Sequence, residues 1–277
     1  GQNRHEWLFR IQSRLFRSGI TPDAIVARLE EALLSDPDPW PDRAKELRSN
    51  MDKIIATADN PLPENSAPRW PAPNHDERRK RYAATPMFST APLPIAPADV
   101  LLTLYRSPNA RVCAATSIWR ANTLPLADLV PGAASYEFIV PNAMRAERGM
   151  TKPTKDHPQG HLSERCQANA CTEQARRYLV VEFDTGDLLR DQAAVLTTLH
   201  TPETPLCLAV FSGGKSLHGW YNVAGLTPRA RRVWFALAAY LGADASLWDT
   251  SKLVRMPGGR RRNGAPQDIL YWEPEHA

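Results

Sequence analysis

The run Tyr178-Leu179-Val180-Val181-Glu182-Phe183-Asp184 ends on two carboxylates two residues apart. Read as a strand, residues i and i+2 share a face, so Glu182 and Asp184 sit side by side while Leu179, Val181 and Phe183 turn to the core. Two anions at that spacing repel, and a shared proton or a bound cation relieves them. Further on comes Ser212-Gly213-Gly214-Lys215-Ser216-Leu217-His218, between apolar runs. Its glycines let the backbone approach a phosphate closely and present N–H groups to it, Lys215 adds a point charge, and His218 can donate a hydrogen bond. Hard oxygen ligands suit Mg2+ or Mn2+. Acids for a metal and a Gly/Lys/Ser/His turn for a triphosphate make up the equipment of a nucleotidyl-transfer site.

At these residues the sequence resembles the archaeo-eukaryotic primase superfamily, the primase-polymerases, over roughly 135–272. Glu182-Phe183-Asp184 matches the family's acidic strand, and Ser212 to His218 its Ser-Gly-Gly-Lys-x-x-His segment. Many relatives place Asp first in the acidic pair, where this chain has Glu182; either carboxylate can hold Mg2+. The resemblance implies a third acid before a basic strand residue. Asp244 stands eleven residues before Arg255 in Leu253-Val254-Arg255-Met256, and Asp249 competes for the role. Glu182, Asp184 and Asp244 are then the metal ligands, with His218 beside them in catalysis. Ser212, Gly213, Gly214, Lys215, Ser216, His218 and Arg255 hold the nucleotide. Two divalent metals would lower the pKa of a 3′-hydroxyl and stabilise leaving pyrophosphate. The resemblance also implies an RRM-like catalytic core. Gly258-Gly259-Arg260-Arg261-Arg262-Asn263-Gly264 reads as a basic hairpin, with Arg260, Arg261 and Arg262 suited to a template backbone.

Each feature has an ordinary reading. Gly-Gly-Lys-Ser alone is a common hairpin turn, and it lacks the upstream glycine of a P-loop. A strand arginine is usually half of a surface ion pair, a His near a turn usually structural, and a basic hairpin tip usually solvated. A second constellation, His157, His161, Cys166 and Cys171, offers four zinc-type ligands within fifteen residues, but spacings of three, four and four intervening residues match no standard ribbon or finger. The competing reading there is a loop with two incidental thiols. Cys113 and Cys207 lie in apolar runs and read as core.

These residues need elements to position them. Residues 1–59 read as a small helical domain: Trp7, Leu8, Ile11 and Leu15 share one face, Ile25, Leu29, Ala32 and Leu33 a second, and Ala44, Leu47, Met51, Ile54 and Ile55 a third. Thr21-Pro22 supplies an N-cap and a proline at the first helical position. This segment weakly resembles the helical domain accompanying mobile-element primases, which usually follows the catalytic core. Its charge, nine basic against ten acidic residues, does not mark a nucleic-acid binder. Residues 60–97 hold nine of the chain's 25 prolines and read as an extended linker, with Arg78-Arg79-Lys80-Arg81 as a solvated run or a phosphate-gripping strap. Residues 98–277 alternate short strands and helices without strict βαβ repeats, which predicts an α+β sheet packed by helices.

The chain's 277 residues carry a net charge of +4, permissive of nucleic acid without demanding it. No apolar run reaches transmembrane length, and four cysteines suit a reducing cytoplasm. The leading expectation is a DNA primase-polymerase working on single-stranded DNA with nucleoside triphosphates, in a mobile-element, repair or defence setting, with a replicative helicase as a further partner and no membrane. The alternatives are a catalytically silent nucleotide- or nucleic-acid-binding module, acting as a replication initiator or sensor, and a metal-dependent nuclease.

Overall fold

The computed structural model describes residues 12, 23–27, 29, 45–52, 70–183 and 187–277. The chain divides into two compact units, Gly1–Arg69 and Trp70–Ala277. In the first, residues 23–27 and 45–52 are helical and bury Ile25, Leu29, Leu47 and Met51, as the periodicity predicts. The buried Gln12 side chain donates to the Leu47 carbonyl at 2.7 Å. The other positions expected in the helical stripes lie outside the described residues, as does the 60–69 part of the expected linker.

The second unit begins at Trp70. Residues 70–97 are thus part of the folded body rather than an extended linker. Pro71, Pro73 and Pro86 bracket a proline-free run, and helix α1 (His75–Arg79) forms inside it, followed by a 3₁₀ turn at Lys80–Ala83. The Asn74 side chain caps α1 by accepting from Glu77 N at 2.9 Å, while Asp76 and Glu77 in the first turn and Arg78 and Arg79 in the last complement the helix dipole. Trp70 packs edge-on against Phe235 and Trp248, with ring centroids 5.0 and 5.2 Å away. Backbone bonds from Asn74 N to Tyr240 O and from Leu93 N to Ile269 O, each 2.7 Å, stitch the segment down. The basic cluster is taken up in ion pairs, three of them within the segment. Arg79 pairs with Asp76, Lys80 and Arg81 pair with Glu77, and buried Arg78 pairs with Asp187 at 3.1 Å.

The unit is α+β. Helix α2 (Pro97–Tyr105) leads into β1 (Arg111–Ser117), β2 (Arg120–Pro125), a short α3 (Leu126–Leu129) and β3 (Phe138–Ile139). A two-stranded ribbon, β4 (Gly149–Met150) with β5 (Leu162–Ser163), precedes β6 (Tyr178–Glu182). Then come α4 (Leu189–Leu199), β7 (Leu206–Phe211), β8 (Leu217–Asn222), α5 (Pro228–Tyr240), β9 (Val254–Arg255) and β10 (Ile269–Trp272). One antiparallel sheet has the order β2-β1-β3-β9, the other β10-β7-β8-β6. Both β6 and β7 run antiparallel to β8, which lies between them, so β6-α4-β7 is a split βαβ unit. The run Leu206–Phe211 is apolar throughout because β7 lies between two strands and is buried along nearly its whole length. A single core joins both sheets through Val112, Ala114, Ile139 and Val254 from one, Leu179, Val181, Leu208 and Trp220 from the other, and Leu196 and Phe235 from the helices. Among the described residues, no helix is long and apolar enough to cross a membrane.

Candidate active site

Glu182 ends β6 directly opposite His218 of β8, because the antiparallel register pairs Val180 with Trp220 and Glu182 with His218. On the other face of these strands, Tyr221 donates its hydroxyl to the Leu196 carbonyl of α4 at 2.6 Å. Glu182 Oε1 accepts from the Ser216 hydroxyl at 2.6 Å and stands 3.3 Å from His218 Nε2. Nε2 therefore has the Glu182 carboxylate as its ion-pair partner, while Nδ1 of His218, buried to 3% exposure, has no partner. Burial opposes ionisation of Glu182, yet the charge of His218, the Ser216 hydroxyl and the more remote charge of Arg255 outweigh it and hold the carboxyl down at about 2.

The β7–β8 turn is built to a single shape. Ser212 N donates to Ser216 O at 2.8 Å, and Ser216 N returns a bond to Ser212 Oγ at 3.1 Å. Gly213 has φ +69°, a left-handed conformation that a side chain would strain, and a Cβ there would meet the Pro266 carbonyl at 2.6 Å. Lys215 and Gly214 are exposed at the tip, whereas Ser212 and Ser216 are buried. The Arg261 guanidinium lies over the turn, 2.6 Å from where a Gly214 Cβ would stand.

Two residues that sequence reasoning missed hold this arrangement. Gln192, 1% exposed on α4, donates to Asp187 O (2.9 Å) and Lys215 O (2.8 Å) and accepts from Leu217 N (2.8 Å). The signal was a polar residue at core spacing from Leu196 and Leu199. Glu137, just before β3, pairs with Arg255 at 2.5 Å and accepts from Arg262 N at 3.1 Å, with Arg261 Nε 4.0 Å away. Arg255 also lies over the Phe138 ring, 4.6 Å from its centroid. Its partner is thus an ion-pair carboxylate, the ordinary reading of a strand arginine, while its charge still reaches Glu182.

Of the two candidates for a third acid, Asp244 lies beside the acidic strand end, since its amide donates to the Glu182 carbonyl at 2.9 Å. Its carboxylate caps the 3₁₀ turn Ala245–Trp248 by accepting from Ser246 N (2.9 Å) and Oγ (2.7 Å), and the residue is exposed. Asp249 is engaged elsewhere, accepting from Ser251 N and Oγ at 2.8 Å and from Gln167 at 3.1 Å. Burial raises its carboxyl, and these bonds with Arg176 nearby bring it below the ordinary range. Asp184 lies outside the described residues; on either side, Phe183 is fully buried and Asp187 is held by Arg78.

Arg260 and Arg262 are exposed on the hairpin closed by Arg261 N to Ala265 O (2.9 Å) and Gly264 N to Arg261 O (2.8 Å). Of the zinc-type residues, His157 and His161 lie ring against ring at 4.5 Å between centroids, and His161 Nδ1 is 3.1 Å from Thr151 Oγ1. Cys171 is buried and its thiol pushed up by desolvation. Among the described residues, no three His, Cys, Asp or Glu side chains gather as a metal group. Glu182 and Asp244 carry the oxygen donors that a hard divalent cation takes, and Nδ1 of the buried His218 imidazole has no partner. No family model, curated protein or solved structure matches the chain.

Proposed function

We propose that the chain is a metal-dependent nucleotidyltransferase of the primase-polymerase kind, making or extending primers on single-stranded DNA from nucleoside triphosphates. One observation carries the reading: His218, buried, pairs with the ionised Glu182 through Nε2, keeps Nδ1 without a partner, and sits two residues from the Gly-Gly-Lys-Ser turn. A buried ring nitrogen without a partner is costly, and a phosphate oxygen at the turn would give Nδ1 an acceptor. The split βαβ unit, with its acid at the end of the first strand and its turn between the next two, is the support for an RRM-like core.

In this reading Glu182, Asp184 and Asp244 would hold Mg2+ or Mn2+, and the metal would supply a lowered pKa for a 3′-hydroxyl and charge stabilisation for pyrophosphate. The chain does the positioning. Gly213 and Gly214 present backbone N–H groups to the triphosphate, and Lys215 adds charge at the exposed tip. Ser212 fixes the turn, and the Ser216 hydroxyl orients Glu182. His218 donates to a phosphate oxygen. Arg255, fixed by Glu137, contributes positive potential behind the acids, and Arg260, Arg261 and Arg262 face the template. Single-stranded DNA in the cytoplasm of a host carrying a mobile element, with a helicase supplying the strand, is the setting that fits.

The test is primer synthesis by the full chain on single-stranded templates with labelled nucleotides and Mg2+ or Mn2+, beside Asp184→Ala and His218→Ala. The reading expects products that lengthen with time and vanish in Asp184→Ala. Absence of product on every template, with nucleotide still bound, would replace it by the silent binding module.

A further inference from the structure

The turn between β1 and β2 carries the most exposed large apolar side chain among the described residues, Trp119 at 87%, with Ile118 beside it at 51%. Arg120 follows, also exposed. An indole left in water at a hairpin tip adds nothing to the core, and adjacent exposed apolar groups mark a contact surface. Register says where that tip lies. Ala115 pairs with Phe138 and Phe138 with Arg255, so these three residues form one row across the first sheet. Beyond that row, Glu137 N donates to Ala115 O at 3.0 Å and Met256 N donates to Glu137 O at 3.2 Å. The β1–β2 turn and the hairpin bearing Arg260 and Arg262 therefore leave from the same end of the sheet. Only β3 separates β1 from β9, so the two hairpins rise about 10 Å apart. The acid at this end, Glu137, is buried and paired with Arg255, while Arg120, Arg260 and Arg262 face solvent.

We propose that this end of the first sheet is a single-stranded nucleic-acid surface, with a base stacked on Trp119 and backbone phosphates along Arg120, Arg260 and Arg262. The proposal deepens the template-directed reading of the neighbouring site and rests on it for the identity of the partner. An indole is sequence-tolerant because every base has a π-face, and it needs an unstacked base, which a single strand offers and a duplex does not. The exposed arginines supply the salt-dependent part of the affinity. The path so defined runs from the Trp119 tip over the basic hairpin, whose Arg261 covers the Gly213-Gly214 turn, and so reaches the candidate active site.

The experiment is fluorescence anisotropy of a labelled single-stranded oligodeoxythymidine with the full chain, in chelator and without triphosphate, so that catalysis plays no part. Trp119→Ala should weaken binding by about five- to 150-fold, the range that loss of one stacked base gives. Trp119→Phe should retain most of the affinity. On an abasic oligonucleotide of the same length, wild type and Trp119→Ala should bind equally. Arg260→Ala with Arg262→Ala should flatten the slope of log affinity against log salt by about 1.4, two phosphate contacts at about 0.7 each. Unchanged affinity in Trp119→Ala, or an equal loss on the abasic strand, would overturn the stacking role. If sedimentation instead showed that Trp119→Ala dissociates a dimer, the tip would be a contact between copies and the proposal would fall. The two readings fail separately. A chain that makes no primers yet binds in this pattern keeps the surface and loses the enzyme, and a primer-making chain indifferent to Trp119→Ala does the reverse.

Discussion

Replacing Glu182 by Gln keeps the side chain's size and an acceptor for the Ser216 hydroxyl, and removes only the charge. In the folded chain the carboxyl is held at about 2 against an ordinary 4.5. At 1.36 kcal/mol per pH unit that difference amounts to about 3 kcal/mol of folded-state stabilisation. The folded value is the depressed one, so the contribution is complete above about pH 4.5 and is lost as pH falls through about 2. At about pH 6 Glu182→Gln should therefore be less stable than wild type by about 3 kcal/mol, and at about pH 3 by only about 1 kcal/mol. Urea unfolding of both proteins at a series of pH values, followed by tryptophan fluorescence, reads this directly. A deficit that stays constant across the range would mean that the charge of Glu182 is not what His218 and Ser216 stabilise. A variant more stable than wild type would mean that repulsion at the acidic strand end outweighs those partners.

Gln192→Leu should leave the buried Leu217 amide unpaired and take the partner from two part-buried carbonyls, lowering stability by about 1–3 kcal/mol. Hydrogen exchange at the Leu217 amide should accelerate while that at Trp220 does not. Arg78→Met should cost about 3 kcal/mol in urea unfolding, because it removes the guanidinium that pairs with Asp187 at a site only 4% exposed. Adding Asp187→Asn should recover most of that loss if the pair is the cause, and none of it if Arg78 acts through its bond to the Leu241 carbonyl.

Much of the unit from 98 onward was legible in order and type. The apolar runs Leu206–Phe211 and Ile269–Trp272 form strands, and α5 opens at Thr227-Pro228, where a side-chain oxygen and a fixed φ favour a helix start. Local chemistry was enough in those places. It failed for residues 70–97, because proline content speaks of what a segment cannot do by itself. It says nothing of the Trp70, Phe235 and Trp248 cluster that ties the segment into the body.

The site shows the same division. The residue types at 182, 212–218, 244 and 255 are facts of sequence, and the period of a strand suffices to put Glu182 on one side of it. That Glu182 faces His218 follows from strand register, which depends on β8 lying between β6 and β7. No local pattern states that order, since it is set by which buried faces pack together. Only the tertiary structure made Asp244, rather than Asp249, the neighbour of Glu182, through one backbone bond across 62 residues of chain. It likewise turned Gln192 from an ordinary helix residue into the anchor of the turn, and Arg255 from a bare cation into half of a pair with Glu137. These are long-range contacts, made where burial forces polar groups to find partners, and their partners lie far off in the chain.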